Sequence, residues 1–233
     1  MKKDFLVSGF LILITLNNLC GQVITAAQID TLVAQVLTTF DVPGIAVGII
    51  KDGQLIHAKG YGVRSLDNKK KVDENTLFGI ASNSKAFTAA ALGMLIDEGK
   101  LTWDDKVTDY IPEFRMYNPY VTEEFTIKDL LTHRSGLGLG AGDLMMWPDS
   151  SDFTKKDIIH NLRYLKPTSS FRTHYDYDNN LYIVAGEVVA RISGMSWEDF
   201  IEKRIMQPLL MTKSAASISR LKDKSNIDRK SVV

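Results

Sequence analysis

The stretch Leu77-Phe78-Gly79-Ile80-Ala81-Ser82-Asn83-Ser84-Lys85-Ala86-Phe87-Thr88-Ala89-Ala90-Ala91-Leu92 changes character twice. It is apolar as far as Ala81, polar for four residues, and then strongly helix-forming. That pattern predicts a helix whose first turn carries Ser82, with Lys85 three residues on and on the same face. A serine hydroxyl is a weak nucleophile until a neighbour takes its proton. A desolvated lysine can do so, because burial lowers an amine's pKa towards neutrality. The partial positive charge of a helix N-terminus favours an anionic oxygen at Ser82. The four-letter spacing is not specific by itself. With 16 serines and 19 lysines in 233 residues, about one S-x-x-K arises by chance. A second copy, Ser219-Arg220-Leu221-Lys222, lies in a charged tail with no helix start behind it. Context, not spacing, singles out Ser82.

Upstream of that stretch, Ala26 to Phe40 has the period of an amphipathic helix, with Ile29, Leu32, Val33, Val36, Leu37 and Phe40 on one face. Asp41-Val42-Pro43-Gly44 ends it. Ile45 to Lys51 and Gln54 to Tyr61 are β-rich runs joined by Asp52-Gly53, a dipeptide suited to a two-residue hairpin turn. Downstream the pattern is mostly helical. The Ser82 helix is expected to stop at Glu98-Gly99-Lys100. Leu101 to Phe114 continues to a break at Ile111-Pro112, and Thr126 to Asp129 reads as a capping box for a short helix through Leu131. Further helices are expected at Lys155–Tyr164, Leu181–Ile192 and from Ser196-Trp197-Glu198-Asp199 to Ile205. The glycine-rich loop Gly136–Gly142 lacks a P-loop lysine and follows no strand, which argues against a phosphate cradle.

Composition is that of an ordinary globular chain, 45% hydrophobic and 24% charged. Lys+Arg and Asp+Glu are equal at 28 each, so no electrostatic footprint for nucleic acid follows. Met1-Lys2-Lys3 followed by Phe5–Leu16 reads as a secretory signal peptide over residues 1–21. The expected location is therefore periplasmic or secreted, from a bacterium-like cell. Cys20 is the single cysteine, so no intrachain disulfide is available. Its lipidation is the lesser reading, because Asn17-Asn18-Leu19 are not the small residues such a site wants.

A second constellation lies at Phe171–Tyr182, where Tyr177-Asp178-Asn179 places a tyrosine two residues before an asparagine, a spacing found nowhere else in the chain. A phenol can act as a base where nearby cations favour its phenolate. An asparagine amide can donate to a substrate carbonyl and accept from its N–H. Taken alone, the segment reads as a polar loop with aromatic packing.

Together the two sites resemble the serine β-lactamase and penicillin-binding-protein superfamily, and within it the class C β-lactamase-related serine hydrolases. The carrying residues are Ser82-Asn83-Ser84-Lys85, as S-x-x-K, and Tyr177-Asp178-Asn179, as Y-x-N. Phe78–Ala81, Leu131–Leu137, Asp178–Tyr182 and Val42-Pro43-Gly44 before the first strand also match the group's phrasing. The resemblance runs from about Ala26 to Ser217. It implies that Ser82 is the nucleophile, Lys85 its proton acceptor, Tyr177 a proton relay and Asn179 the residue that positions the substrate amide. It implies no cofactor and no metal. His133 is expected to fix a loop under the site. His57, His160 and His174 have no metal-ligand spacing such as H-E-x-x-H. No pair of acids stands out as a glycosidase would require.

The resemblance has one gap. The group carries a third motif, K-T-G or H-x-G, and no such triplet follows Tyr177. The expectation is an α/β chain: residues 22–227 as the N-terminal part of a β-lactamase-like domain, with an incomplete antiparallel sheet flanked by helices over 22–81 and a mostly helical part over 82–217. Asp228-Arg229-Lys230-Ser231-Val232-Val233 matches the translated start of a common sequencing adapter, so 228–233 is expected to be a non-native tail on a truncated product. The expected partner is a β-lactam, a D-Ala-D-Ala stem peptide or a small ester. Contact with a membrane is expected only through the signal peptide or a lipidated Cys20. The alternative is a non-catalytic penicillin-recognising or peptidoglycan-binding module.

Overall fold

The computed structural model describes residues 24–147 and 151–228. The signal peptide, Cys20 and residues 229–233 lie outside that range. The chain divides into two compact units between Glu74 and Asn75, ahead of the change of character read at 81/82.

The first unit holds helix α1 (Ala26–Thr39) and strands β1 (Gly44–Lys51) and β2 (Gln54–Gly62). Thr25 opens α1 with a capping box: its hydroxyl accepts from the Gln28 N–H, and the Gln28 side-chain Oε1 accepts from the Thr25 N–H. The strands pair antiparallel through the Asp52-Gly53 turn, whose two residues have φ of 50° and 74°. Both are left-handed, as a type I′ hairpin turn requires. The unit is thinly buried. Of the predicted α1 stripe only Ile29 and Val33 are buried, while Leu32 and Phe40 are exposed, as are Ile50 and Leu55 on the hairpin. Asp30 ties α1 to β2 by accepting from the Lys59 ammonium at 2.9 Å and the Tyr61 hydroxyl at 2.6 Å.

The second unit is helical. Its elements are α2 (Ser84–Asp97), α3 (Val107–Tyr110), α4 (Pro119–Glu124), α5 (Ile127–Leu131), α6 (Lys155–Asn161), α7 (Asn180–Ser193) and α8 (Trp197–Phe200). Helix α7 is the hub, packing against α2, α3, α5, α6 and α8. Leu92 and Leu95 of α2 and Leu181, Val184 and Val188 of α7 are fully buried, with Phe114, Phe125 and Phe200 around them. Gly99 (φ 69°) follows α2 and Gly194 (φ 70°) follows α7, in the left-handed conformation that stops a helix.

Several boundaries differ from the sequence reading. Only Val107–Tyr110 is helical within Leu101–Phe114, because Asp105 accepts from both the backbone and the hydroxyl of Thr102 and turns the chain there. Helix α4 was not anticipated, although Asn118 caps it and Pro119 sits at its first position, both ordinary start signals. The predicted helix through Tyr164 ends at Asn161 and closes with a 3₁₀ turn. The helix expected through Ile205 begins as α8, capped by Ser196, and widens into a π-helical segment over Ile201–Met206.

Candidate active site

Ser82 lies in a 3₁₀ turn, Ala81–Asn83, that leads directly into α2. Lys85, in the first turn of α2, lies three residues on and on the same face as the serine. Lys85 Nζ donates to Ser82 Oγ at 3.2 Å. Ala81, just before the serine, has φ of 43°, a left-handed conformation that costs an L-residue roughly 1–2 kcal/mol. Strain of this kind clusters at functional turns.

Tyr177 and Asn179 arrive from the turn that precedes α7. The Tyr177 hydroxyl donates to Ser82 Oγ at 2.6 Å, and Lys85 Nζ donates to Asn179 Oδ1 at 2.7 Å. All four residues singled out in the sequence therefore meet, although 95 positions separate Ser82 from Tyr177. Two donors converge on Ser82 Oγ, an arrangement that stabilises negative charge on that oxygen. The Lys85 ammonium also lies 4.6 Å from the Tyr177 ring centre and 5.3 Å from that of Tyr182. Burial pushes the Tyr177 phenol up, but hydrogen bonding with Lys85 and Ser82 and the Lys85 charge outweigh it. The net position is below the ordinary phenol value.

The support beneath this cluster is aromatic. His133 is buried, has φ of 55°, and stacks on Tyr177 with ring centres 4.5 Å apart. Burial and the Lys85 charge hold its pKa down. Its Nδ1 accepts from the Asp178 N–H at 3.1 Å, which leaves the ring proton on Nε2. Tyr182 lies 5.4 Å from the same ring and donates to the Leu131 carbonyl. Asp178 is fully buried; its Oδ1 accepts from the Leu181 N–H, and its Oδ2 has no partner among the described residues. Burial pushes this carboxyl up to about 6. Further out, Arg172 chelates the buried Asp129 at 2.9 and 2.6 Å and anchors the segment that carries Tyr177.

A cavity of about 470 Å³ opens beside Ser82, lined by Lys85, Thr88, Asn179, Ile183 and Trp197 among others. Within that lining Trp197 Nε1 donates to Thr88 Oγ1 at 3.1 Å. Of the other histidines in this unit, His160 pairs with Tyr164 and His174 with Thr173. Among the described residues no group of three or more His, Cys, Asp or Glu could hold a metal. The sequence reading passed over Asp143, which accepts from Asn179 Nδ2 at 3.0 Å. An acid directly after a Gly-x-Gly turn was the one available signal.

A serine at a helix start, the lysine three residues on and the tyrosine–asparagine turn, in a chain of helices and a two-stranded antiparallel sheet, make this a β-lactamase/transpeptidase-like α/β fold. The chain belongs to the beta-lactamase family, whose model matches residues 29–224. It is 32% identical over 196 residues to the Unguisins hydrolase ungD of Aspergillus violaceofuscus, covering 82% of this chain and 34% of that protein. The octameric penicillin-binding protein homologue from Pyrococcus abyssi superposes with a TM-score of 0.76 at 27% identity, over 88% of this chain and 47% of that one. A class C beta lactamase superposes with a TM-score of 0.66 at 29% identity, over 78% of this chain and 48% of that one. The chain thus spans less than half the length of each of these relatives.

Proposed function

We propose that the protein is an exported serine hydrolase that forms an acyl-enzyme on Ser82 with a β-lactam, a D-Ala-D-Ala peptide or a small ester. The observation that carries this reading is the convergence of Lys85 Nζ and the Tyr177 hydroxyl on Ser82 Oγ, at 3.2 and 2.6 Å. Lys85 as a neutral amine takes the serine proton as Oγ bonds to the acyl carbon. Tyr177 passes a proton to the departing nitrogen or oxygen as its bond to that carbon breaks. Water then releases the acyl group, with its proton leaving through the same pair. Asn179, on the cavity wall, orients the acyl side of the substrate. Export is supported by the basic-then-apolar run at Met1–Leu16, and fractionation of expressing cells tests it.

The test of the chemistry is covalent. Incubation with a fluorescent penicillin and with a fluorophosphonate should leave an adduct that peptide mass spectrometry maps to Ser82. It should vanish in Ser82→Ala. An adduct confined to Ser84 or Ser219 would overturn the assignment. Saturable binding with no adduct on any serine would favour the non-catalytic binding module.

A further inference from the structure

The glycine-rich loop that carries no phosphate-binding signature has another use. Its residues 140–143 make three hydrogen bonds to the turn that bears Tyr177 and Asn179. The Gly140 N–H donates to the Tyr177 carbonyl at 2.9 Å. The Ala141 carbonyl accepts from Asn180 Nδ2 at 2.8 Å. Asp143 Oδ2 accepts from Asn179 Nδ2 at 3.0 Å. Gly142 makes the approach possible: its φ is 76°, and a Cβ there would stand 2.8 Å from Asn180 Nδ2.

We propose that Asp143 is a positioning residue that sets the orientation of the Asn179 carboxamide, keeping Oδ1 on Lys85 and leaving one Nδ2 hydrogen for an acceptor on the substrate. The argument follows from donor and acceptor capacity. A carboxylate can only accept, so it takes the Nδ2 end of the amide. A lysine ammonium can only donate, so it takes the Oδ1 end at 2.7 Å. While Lys85 is protonated the two neighbours agree. Once Lys85 has lost a proton its amine can accept as well as donate, and it no longer dictates which end of the amide faces it. Asp143 then holds the orientation alone, at the moment Lys85 is needed as a base.

Asp143 is held at a cost, because its Oδ1 is buried without a partner among the described residues. The same alignment decides what Asn179 offers a substrate. With Oδ1 on Lys85, the free valence is an N–H donor, so acyl groups bearing a carbonyl near the scissile bond are favoured over plain alkyl chains. This substrate preference rests on the hydrolase reading; the amide orientation does not.

Two measurements test it. In ¹⁵N-labelled protein, the Asn179 side-chain hydrogen that faces Asp143, identified by its loss in Asn179→Ala, should exchange slowly. Exchange should quicken at least tenfold in Asp143→Ala and be largely restored in Asp143→Asn, which keeps an acceptor oxygen. Unchanged exchange in Asp143→Ala overturns the proposal. Should that variant not fold, Lys85→Met decides the same question. Protection that persists there supports Asp143 as the holder, and protection that is lost assigns the role to Lys85.

The second measurement is the kcat/KM ratio for the p-nitrophenyl ester of N-acetylglycine over that of pentanoic acid, acyl chains of equal length with and without an amide. Asp143→Ala should lower the ratio about tenfold, the worth of roughly one hydrogen bond, and Asp143→Asn should lower it less. A ratio that falls in Asn179→Ala but not in Asp143→Ala overturns the substrate part. If the wild-type protein hydrolyses neither ester, the hydrolase reading and its substrate preference fall, and the exchange data still decide the orientation.

Discussion

The chain contains the same four-residue spacing twice, and the two copies fold into opposite situations. Both serines sit in a 3₁₀ turn, Ala81–Asn83 for Ser82 and Ile218–Arg220 for Ser219. After the first turn the chain runs into the fourteen residues of α2, which hold Lys85 over Ser82. After the second, Leu221 is extended (φ −66°, ψ 120°) and carries Lys222 onward with both residues of the pair exposed. The Ser219 hydroxyl pairs with Ser217 at 2.8 Å, whereas Ser82 Oγ receives donors from α2 and from the turn before α7. A short motif becomes a site only when the core brings distant residues to it. Here that core is the packing of α2 against α7.

The largest effect expected from breaking this arrangement lies in the pair that flanks Ser82. Lys85→Ala and Tyr177→Phe should each lower kcat/KM by about 10²–10⁴-fold, the usual span for a proton-transfer group. The double variant should lose little more than the worse single one, because groups acting as a unit lose activity non-additively. Removing the Lys85 cation also removes what holds the Tyr177 phenol down. Tyr177 acts as the proton donor, so the alkaline limb of the pH–rate profile should move to higher pH in Lys85→Ala. Losses that add in log rate, with an unmoved limb, would separate the two roles.

How much of this was legible follows from which interactions are local. The Asp52-Gly53 hairpin, the Thr126 capping box and the glycine stop after α2 are set within a few residues, and each appears where the sequence put it. Ser82, Lys85, Tyr177 and Asn179 were found because two spacings coincide with one family's pattern. Their contact distances were not readable, since they depend on how α7 docks. Asp143 escaped because a carboxylate after a glycine turn means nothing until Asn179 stands opposite it. The exposure of Leu32 and Phe40 was equally invisible, since helical periodicity marks an apolar face without saying what covers it.

A smaller effect comes from what lies beneath the first copy. Asp178 is fully buried, with one oxygen on the Leu181 N–H and the other unpartnered among the described residues. Its carboxyl titrates near 3.8 in an unfolded chain and is pushed up to about 6 here by burial. Below pH 4 both states are protonated and there is no penalty. As pH rises through 4 to 6 the unfolded state ionises first, so folding stability falls, and above 6 the penalty is constant. About two units correspond to about 3 kcal/mol at most. Asp178→Asn keeps an acceptor for Leu181 and removes the carboxylate charge from this buried position. It should be more stable than the wild type at pH 7.5 and no more stable near pH 3.5, as read from urea unfolding. Equal stability at both values would mean that the buried carboxyl is compensated by something other than its proton.

The smallest effect is expected at the second copy, and a null result there carries the comparison. Ser219→Ala removes one surface hydrogen bond to Ser217, and Lys222→Ala removes an exposed side chain. Surface changes of this kind stay within about 0.5 kcal/mol of the parent in stability. Reactivity should not change either. Ser219 sits on no long helix, and the extended Leu221 directs Lys222 away from the path that Lys85 follows along α2. The Ser219 hydroxyl therefore keeps the weak nucleophilicity of a free alcohol. Fluorophosphonate labelling of Ser219→Ala should equal that of the wild type in rate and extent, with every adduct still on Ser82. A labelled Ser219 in the wild type, or a loss of labelling when only Lys222 is changed, would show that spacing alone can activate a serine in this chain. The contrast drawn between the two copies would then fail.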